Sequence, residues 1–484
     1  MTDPFEVVLA AVRAAELAGA RYADARVVRV ERESLTAHDG EIAAAERGEE
    51  LGVGVRALAG GAFGFAAAPL AALDGAGAAL AASLGARAVE VARALGRARR
   101  RPVEWEARAP VEGEHETPVA EDPFALPLAA KLALLRDADR GMLGREGIVL
   151  REASYHARRC ERWYASSEGT RWRQLAVRTG GGIAATARAH GEVQRRSAPT
   201  SFGGNSLAGG FERARALGLE AAGPRTCDEA LLLCSAAPCP PGRRALIAGS
   251  SQLALQIHES VGHPSELDRA LGQELDLAGS SFLAPGDEGS LRFGSEAIDL
   301  VADPALEGGL DARAFDDDGL RARRFELVRA GVFVGWHAAR EHAARAEACG
   351  VVRAESWWDP PIVRMTNVSL APGSWTLARL VAATEDGVLC DTPRTWSIDE
   401  RRVEFQFTTE IGWEIRDGRV VRVVREPTYQ GTTLAFWRSC DAVCDDTGFA
   451  TWGIQDCGKG NPLQLAEMSH GAAPARFRDV RFVR

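Results

Sequence analysis

The chain has 484 residues, more than one hydrophobic core usually supports, so two or three domains are expected. Its apolar fraction of 46% and charged fraction of 26% are those of an ordinary globular protein, and no apolar run is long enough to span a membrane. The net charge of −9 argues against a nucleic-acid-binding protein.

The first residues and the cysteines indicate a reducing compartment. Asp3 and Glu6 lie where a secretory signal would be basic, so no signal peptide is expected. Nine cysteines, an odd number spread along the chain, are typical of free thiols. We therefore expect a cytoplasmic protein that has neither a membrane nor a nucleic acid as its partner.

Residues 1–100 are predicted to form an α+β domain. A helix is expected at 4–19, where apolar residues recur at helical spacing. Strands follow that turn at the Asp-Gly pair 39–40 and at the Gly-Gly pair 60–61. The alanine- and leucine-rich stretch 69–98 again has helical periodicity.

A middle α+β domain is predicted over residues 127–225, after a charged and proline-rich linker at 99–126. It begins with a helix at about 127–142. Strand-like runs follow, and we expect one strand to end and another to begin at residues 181–182, where glycines cluster. A helix at 210–219 closes the domain.

Residues 228–484 are predicted to form a β-rich C-terminal domain, either barrel-like or sandwich-like. ALIAGS, at 245–250, is typical of a buried strand that leads into a helix at about 251–262. After residue 280, apolar and polar residues alternate and are interrupted by glycine and proline. The expected fold class is α+β, with antiparallel sheet and helices in the N-terminal domains.

The stretch HESVGH suggests a metal site. It differs from the metal-binding pattern His-Glu-x-x-His because His258 and His263 are five residues apart. Five residues turn a regular helix by about 500°, so the two rings would point about 140° apart. A π-helical turn, or a helix that ends before His263, would bring them together. Gly262 and Pro264 favour such a disruption.

A catalytic zinc ion usually has three protein ligands and one water molecule. Glu259 is the natural general base for that water. The residues leave three candidates for the third ligand: Cys457 first, then Glu266, then His470. Lys459 supports Cys457, because it is one of only two lysines in the chain and a nearby ammonium group would favour the thiolate.

Other chemistries stay open or fit less well. Cys440 and Cys444 could join Cys457 in a structural zinc or iron–sulfur site, but a fourth cysteine at suitable spacing is missing. No Gly-x-Ser-x-Gly motif indicates a serine hydrolase. A non-haem iron enzyme with two histidines and a carboxylate remains an alternative. A non-catalytic peptide-binding subunit is another, if the two histidines do not converge.

Several stretches together resemble the TldD/PmbA family, also called modulators of DNA gyrase, whose TldD-type members are metallopeptidases. These stretches are HESVGHPSELDRALGQE (258–274), DDDG (316–319), RMTNVSLAPG (364–373), WSIDERRVEFQF (396–407) and CGKGNPLQ (457–464). YADAR, GVGVR and GAFGF near the N-terminus also fit, so the resemblance covers nearly the whole chain. The chain resembles the catalytic TldD-like subunit in particular, because PmbA/TldE-like paralogues lack the His-Glu-x-x-x-His motif.

The resemblance implies a zinc peptidase with His258, His263 and Cys457 as ligands and Glu259 as base. It also implies a partner chain, either a TldE/PmbA-like paralogue in a heterodimer or a second copy in a homodimer, that encloses the active site. Unfolded peptides would be threaded in and cleaved with little side-chain selectivity, and folded proteins would be excluded by size.

One stretch departs from better-known members of the family, which read nearer HGLEGD where this chain has HPSELDR. Its acidic residues still align as Glu266 and Asp268, so the departure concerns the loop and not the ligands. Arg364, Asn367 and the DDDG acids are expected to line the site or to hold loops. We expect four tryptophans to be packing anchors, with contact to the substrate as the alternative for aromatic rings near a peptide channel: Trp357, Trp358, Trp396 and Trp413.

Overall fold

A computed structural model describes residues 3–99, 101–274 and 279–484, and one large sheet dominates its N-terminal half. The sheet contains β1 (Tyr22–His38), β2 (Glu41–Ala59), β3 (Ala62–Pro69), β4 (Glu112–Glu116), β5 (Ile148–Ser166), β6 (Arg171–Ala189), β7 (Glu192–Ala198) and β8 (Asn205–Ala208). The strand order is β3-β2-β1-β5-β6-β4, and β7 and β8 also pair with β6. Since β1 pairs with β5 along nearly its whole length, the first and middle regions share this sheet.

Helices cover this sheet at two places. They are α1 (Pro4–Leu17), α2 (Gly75–Ala98), α3 (Leu128–Met142), α4 (Phe211–Ala216) and α5 (Leu219–Ser235). The side chain of Asp3 caps α1 by accepting a hydrogen bond from Phe5 N at 3.0 Å. α1 and α2 pack on β1 and β2, whereas α3 and α5 pack on β5 and β6.

The glycine cluster in β6 does not end the strand, so the prediction of a break there is wrong. A Cβ at Gly180 would lie 2.2 Å from Ser206 Oγ, and a Cβ at Gly182 would lie 2.5 Å from Gly204 Cα. The glycines therefore let the segment between β7 and β8 approach the strand closely. A glycine that makes room for a neighbour and a glycine that makes a turn look the same in the sequence.

Two further segments differ from their predictions. The single helix predicted at 210–219 is two helices, α4 and α5, separated by Gly218 with φ 60°. α5 continues past Pro224 and crosses residues 225–228, where the sequence predicts the end of the middle domain. In the predicted linker at 99–126, β4 pairs in parallel with β6.

The C-terminal region contains a closed barrel, which confirms the barrel form of the prediction. β17 pairs with β10, and the ring continues through β24, β20 and β18 back to β17. The barrel strands, with β9, β19 and β21 attached to them, are β9 (Ala237–Pro238), β10 (Gly242–Ala248), β17 (Asp386–Ile398), β18 (Glu404–Arg416), β19 (Arg419–Arg425), β20 (Thr428–Thr432), β21 (Cys440–Val443) and β24 (Ala475–Val483).

A second sheet lies beside the barrel, with the order β13-β12-β11-β16-β23-β22. Its strands, and the separate pair β14 and β15, are β11 (Leu300–Ala302), β12 (Phe325–Arg329), β13 (Val332–Phe333), β14 (Val352–Arg353), β15 (Ile362–Val363), β16 (Val368–Leu370), β22 (Ala450–Lys459) and β23 (Gln464–Ala472). The short helices of this region are α6 (Ser250–Ile257), α7 (Leu267–Ala270), α8 (Leu377–Ala382) and α9 (Thr433–Arg438).

Helix α6 connects the barrel to the second sheet and is buried along almost its whole length. Two of its polar side chains share Tyr429 of β20: Gln252 Nε2 donates to the Tyr429 hydroxyl at 2.9 Å, and that hydroxyl donates to Gln256 Oε1 at 3.0 Å. These bonds satisfy buried polar groups and fix the helix against the barrel. Within the described part of the chain, no helix has the length and apolar character needed to cross a bilayer.

Buried ion pairs join the N-terminal sheet to the loop with the sequence DDDG (316–319, the DDDG loop). Arg56 contacts Asp318 at 2.9 Å, and Arg162 contacts Asp317 at 2.9 Å. Asp316 accepts hydrogen bonds from the backbone of its own loop and from Val352 N, and burial and the nearby Asp318 raise its pKa to about 7. The DDDG loop therefore holds the two halves together.

Candidate metal centre

The helix that carries the two histidines widens where the sequence requires it. After α6 the chain forms a π-helical turn over His258–Gly262, in which His263 N donates to His258 O at 3.2 Å. The sequence predicts either a π-helical turn or a helix that ends before His263, and the structure has the π-helical turn. A Cβ at Gly262 would lie 2.3 Å from Met365 Sδ, so this glycine allows close packing at the turn.

The turn brings His258 and His263 together with Cys457 of β22. One donor atom from each lies within 4.8 Å of the other two, and all three side chains are buried. His263 Nε2 is 3.6 Å from Cys457 Sγ. Zinc bound at about 2.05 Å to nitrogen and about 2.3 Å to sulfur, with tetrahedral angles, would place these two atoms about 3.6 Å apart. The residues therefore fit a zinc ion.

Hydrogen bonds assign the ring nitrogens of His258. His470 Nδ1 lies 3.0 Å from the carbonyl of Val368, which can only accept, so this nitrogen carries the proton. Burial lowers the pKa of His470 well below its ordinary value, so the ring is neutral and its Nε2 is an acceptor. His258 Nδ1, 2.9 Å away, must then donate to it, which leaves the His258 Nε2 lone pair for a metal.

Glu266 is the hydrogen-bond acceptor for His263, as His470 is for His258. Its Oε2 lies 3.2 Å from His263 Nδ1 and also accepts from Arg269 Nε at 2.5 Å. Arg269 NH2 also lies 3.2 Å from His263 Nδ1. When Nδ1 donates to the Glu266 carboxylate, the lone pair of Nε2 is left for a metal. Burial lowers the pKa of His258 and of His263 to about 4, so both rings are neutral at ordinary pH. Glu266 and His470 therefore orient the two histidines, and the third converging donor atom is the Cys457 sulfur.

The pKa of the Cys457 thiol is lowered, but Lys459, which the sequence suggests as the cause, is not responsible. Burial opposes ionisation of the thiol, yet the positive charges of His263, when that ring is protonated, and of Arg364 lower its pKa to about 7. Arg364 donates to the Cys457 carbonyl and, at 3.0 Å, to the carbonyl of Gln464, so it also holds β22 and β23. A thiol of this pKa is readily converted to the thiolate that binds zinc.

Lys459 instead forms ion pairs with two carboxylates, those of Asp268 and Glu266. Its Nζ lies 2.7 Å from Asp268 and 3.4 Å from Glu266. Burial opposes ionisation of Glu266, but Lys459 and Arg269 lower its pKa well below the ordinary value. This charge balance keeps Glu266 anionic as the acceptor for His263.

Glu259 lies next to the first ligand and is held by two side chains from the barrel. Trp396 Nε1 donates to Oε1 at 2.8 Å, and Arg402 NH1 donates to Oε2 at 2.6 Å. Both residues lie in the stretch WSIDERRVEFQF, about 140 residues further along the chain. No spacing rule links them to Glu259, so sequence reasoning missed both of these contacts. Trp396 is 43% exposed and does not match its prediction as a packing anchor.

The remaining candidates have structural positions. Asn367 is buried and its Oδ1 accepts from Asp311 N and Ser469 N, so it holds backbone segments together. Cys440 and Cys444 lie buried near β21 and do not join Cys457: among the described residues, the metal-binding group consists of the two histidines and Cys457.

Three family models match the chain. The PmbA/TldA metallopeptidase domain 1 matches residues 23–94, the central domain matches 121–230, and the C-terminal domain matches 242–483. The chain therefore belongs to the PmbA/TldD metallopeptidase family, and it is a metalloprotease of that type.

Individual relatives agree with this assignment. A metalloprotease of Methanothermobacter thermautotrophicus is 28% identical over 95% of this chain and 94% of its own length. A zinc metalloprotease TldD homologue of Saccharolobus solfataricus is 21% identical over 50% of this chain and 51% of its own. The Thermotoga maritima protein assigned as a modulator of a DNA gyrase has the same fold, with a TM-score of 0.75, 16% identity and 98% coverage of both chains.

Proposed function

We propose that this chain is a cytoplasmic zinc-dependent peptidase that cleaves unfolded peptides. His258, His263 and Cys457 would hold the metal, and Glu259 would act as the general base. The observation that carries the proposal is the convergence of two imidazole nitrogens and a thiol sulfur within 4.8 Å, beside a glutamate. Two histidines and a cysteine are a donor set that suits zinc, and the Saccharolobus solfataricus relative is named as a zinc metalloprotease.

The chain's own residues would divide the chemistry. Zinc, when bound, supplies a water molecule of lowered pKa and polarises the scissile carbonyl. Glu259 takes the proton of that water and passes it to the leaving amine. Each of its oxygens accepts one hydrogen bond from the barrel and keeps a further lone pair, so the carboxylate is oriented without being saturated.

The strand that carries Cys457 offers a place for the substrate backbone. β22 is the outer strand of the second sheet. The Asn205 side chain bonds to Thr451 O at 3.0 Å and to Gly453 N at 2.9 Å, so it covers one end of this edge. Beyond Gly453, no described strand pairs with the outer edge of β22. An extended peptide could add here through main-chain hydrogen bonds, which gives affinity without sequence choice.

The enclosure of the site supports unfolded substrates. The three metal ligands and Glu259 are all buried, so a peptide bond inside a folded domain would not reach them. We propose a two-chain assembly, with a TldE/PmbA-like paralogue or a second copy, as the resemblance implies. The third donor is a thiol, and Glu266 faces the opposite nitrogen of His263, which argues against an iron site of two histidines and a carboxylate.

Replacement of the base tests the proposal. Glu259→Gln should keep about one zinc per chain, since the ligands are untouched, and should lose cleavage of a labelled unfolded peptide. Zinc is measured by elemental analysis of protein purified without added metal. Glu296→Gln, at an exposed position, is the matched control and should keep both properties. Cleavage by Glu259→Gln at the wild-type rate, or purification with iron or no metal, would contradict the proposal.

A further inference from the structure

Two exposed aromatic rings pack against each other, one of them bonded to Glu259, and we call them the aromatic pair: Phe202 and Trp396. Trp396 is 43% exposed although its indole nitrogen is bonded to Glu259. Phe202, between β7 and β8, is 57% exposed. The rings meet edge to face, with centroids 5.4 Å apart and planes at 79°. The N-terminal half and the barrel thus each contribute one ring to a surface next to the base.

Phe202 is held in a backbone conformation that bulky residues rarely adopt. Its φ is 55°, in the left-handed region. The neighbouring glycines anchor it: a Cβ at Gly204 would lie 1.9 Å from Gly181 O, and Ser154 Oγ donates to Gly203 O at 3.2 Å. Strain of this kind persists where the surroundings fix it, and it is frequent in ligand-binding segments.

The strand before Phe202 is clamped to the barrel, so the aromatic pair is preformed. Ser197 donates to Glu410 from both its backbone nitrogen and its hydroxyl, each at 2.8 Å. Arg196 NH1 contacts the same carboxylate at 2.9 Å. All three residues are buried, which makes this a fixed junction between β7 and β18. A preformed surface loses little freedom when a ligand binds.

We propose that the aromatic pair binds the side chain of the substrate residue directly after the scissile bond, and that it favours apolar and aromatic residues there. The inference rests on the proposed function. Because Glu259 passes a proton to the leaving amine, that amine must come within hydrogen-bonding reach of the Glu259 carboxylate. The side chain next to that nitrogen therefore emerges close to Trp396, which contacts the same carboxylate. Burying the two exposed rings against an apolar group is favourable.

The cleavage positions in a mixed substrate test the subsite. The zinc-loaded protein is incubated with a mixture of unfolded peptides of varied sequence, and mass spectrometry identifies every new N-terminus. We expect phenylalanine, tyrosine, leucine and methionine to be enriched at the first position after the cut, by several-fold over their frequency in the mixture. No comparable enrichment is expected at the residue before the cut.

Removal of one ring should weaken this preference. In Phe202→Ala, the ratio of kcat/KM for a peptide with leucine after the cut to kcat/KM for the same peptide with serine there should fall about tenfold. Leu128→Ala, which truncates an apolar side chain that is 51% exposed at the start of α3, should leave the ratio unchanged.

The outcomes separate this inference from the proposed function. Cleavage without any enrichment after the cut, or an unchanged ratio in Phe202→Ala, would overturn the subsite while the peptidase assignment stands. A smaller native mass for Phe202→Ala with an unchanged ratio would assign the rings to an interface between chains and would equally overturn the subsite. Absence of cleavage by the zinc-loaded protein, both alone and mixed with a TldE/PmbA-like paralogue, would overturn the proposed function, and the subsite with it.

Discussion

The metal centre and the DDDG loop are both buried clusters of ionisable residues, but they are built in opposite ways. In the loop, carboxylates meet cations, as Asp318 meets Arg56 and Asp317 meets Arg162. At the metal centre, two imidazole nitrogens and a sulfur face one another, and the cations lie behind them, on Glu266.

This difference distinguishes a structural cluster from a binding site. Paired charges compensate for the loss of water that burial imposes on each of them, so a complementary cluster is complete within the chain. Electron-pair donors that face one another gain nothing from each other, and a shared cation stabilises them. The direction in which the lone pairs point therefore distinguishes a binding site from a structural cluster better than the number of charged residues does.

The largest effect should come from removing one converging donor. Cys457→Ala should abolish zinc binding at stoichiometric metal and with it peptide cleavage, because two histidines alone make a much weaker site. Elemental analysis and cleavage of an unfolded peptide measure the two losses. Cys440→Ala is the matched control, because burial raises the pKa of that thiol to about 12 and it lies outside the site. Unchanged zinc content in Cys457→Ala would show that Cys457 does not bind the metal.

In the DDDG loop cluster, removal of one partner should cost stability and leave the metal in place. Arg56→Met leaves Asp24 and Asp318 buried without the cation that lies 2.7 Å and 2.9 Å from them. We expect the free energy of unfolding to fall by about 3–5 kcal/mol in chemical denaturation. The exposed pair Arg87 and Glu90 supplies the control, since Arg87→Met should cost less than about 1 kcal/mol. Equal losses in the two variants, or loss of zinc from folded Arg56→Met, would contradict the distinction.

Acid should weaken a third ion-pair cluster, which lies on the strand that also carries His470. Burial opposes ionisation of Glu467, but Arg158 and Arg178 lower its pKa to about 2. Because this value is below the ordinary 4.5, the unfolded chain takes up the proton first. The stabilisation is complete above the ordinary pKa and is lost as the pH falls toward 2, on the order of 3 kcal/mol in total.

The measurement compares denaturation of wild type and Glu467→Gln between about pH 6 and about pH 3. Wild type should lose more stability over this interval, because the variant has no carboxylate to protonate at this position. Glu296→Gln, which changes an exposed carboxylate, should follow wild type. Parallel loss in wild type and Glu467→Gln would show that the ion pair does not control the acid response.

The smallest effect should come from the histidine that orients a ligand without binding the metal. His470→Ala removes the acceptor for His258 Nδ1 and keeps all three donors, so zinc should bind about 10–100-fold more weakly but with the same stoichiometry. Competition with a chelator measures the affinity. His156→Ala, at a half-buried histidine bonded to Ser206, should keep wild-type affinity. Complete loss of zinc from His470→Ala would make His470 a ligand.

Local geometry explains what the sequence could predict. The five-residue separation of His258 and His263 restricts the backbone to a π turn or a helix end, because a regular helix cannot align them. The alternating strands of the C-terminal region likewise predict a β-rich domain, and the observed barrel has that form.

Long-range packing explains what the sequence could not predict. Gly180–Gly182 lie inside β6 because another segment approaches them, and that segment is identified only by the fold. Lys459 lies two residues from Cys457, but along a strand it contacts Asp268 and Glu266. Trp396 and Arg402 contact Glu259 because the barrel fold brings these distant parts of the chain together. In each case, a three-dimensional neighbour decides the role of the residue.

The Asn205 side chain on the edge of β22 has a consequence for product length. It is bonded to the strand as far as Gly453, and only three residues, 454–456, separate Gly453 from Cys457. At about 3.3 Å per residue, a peptide strand added to this edge can run only about 10 Å past the metal in that direction before it must turn away. The position of Asn205 would then limit the distance from the cut to the end of a bound product, whichever amino acids the substrate contains.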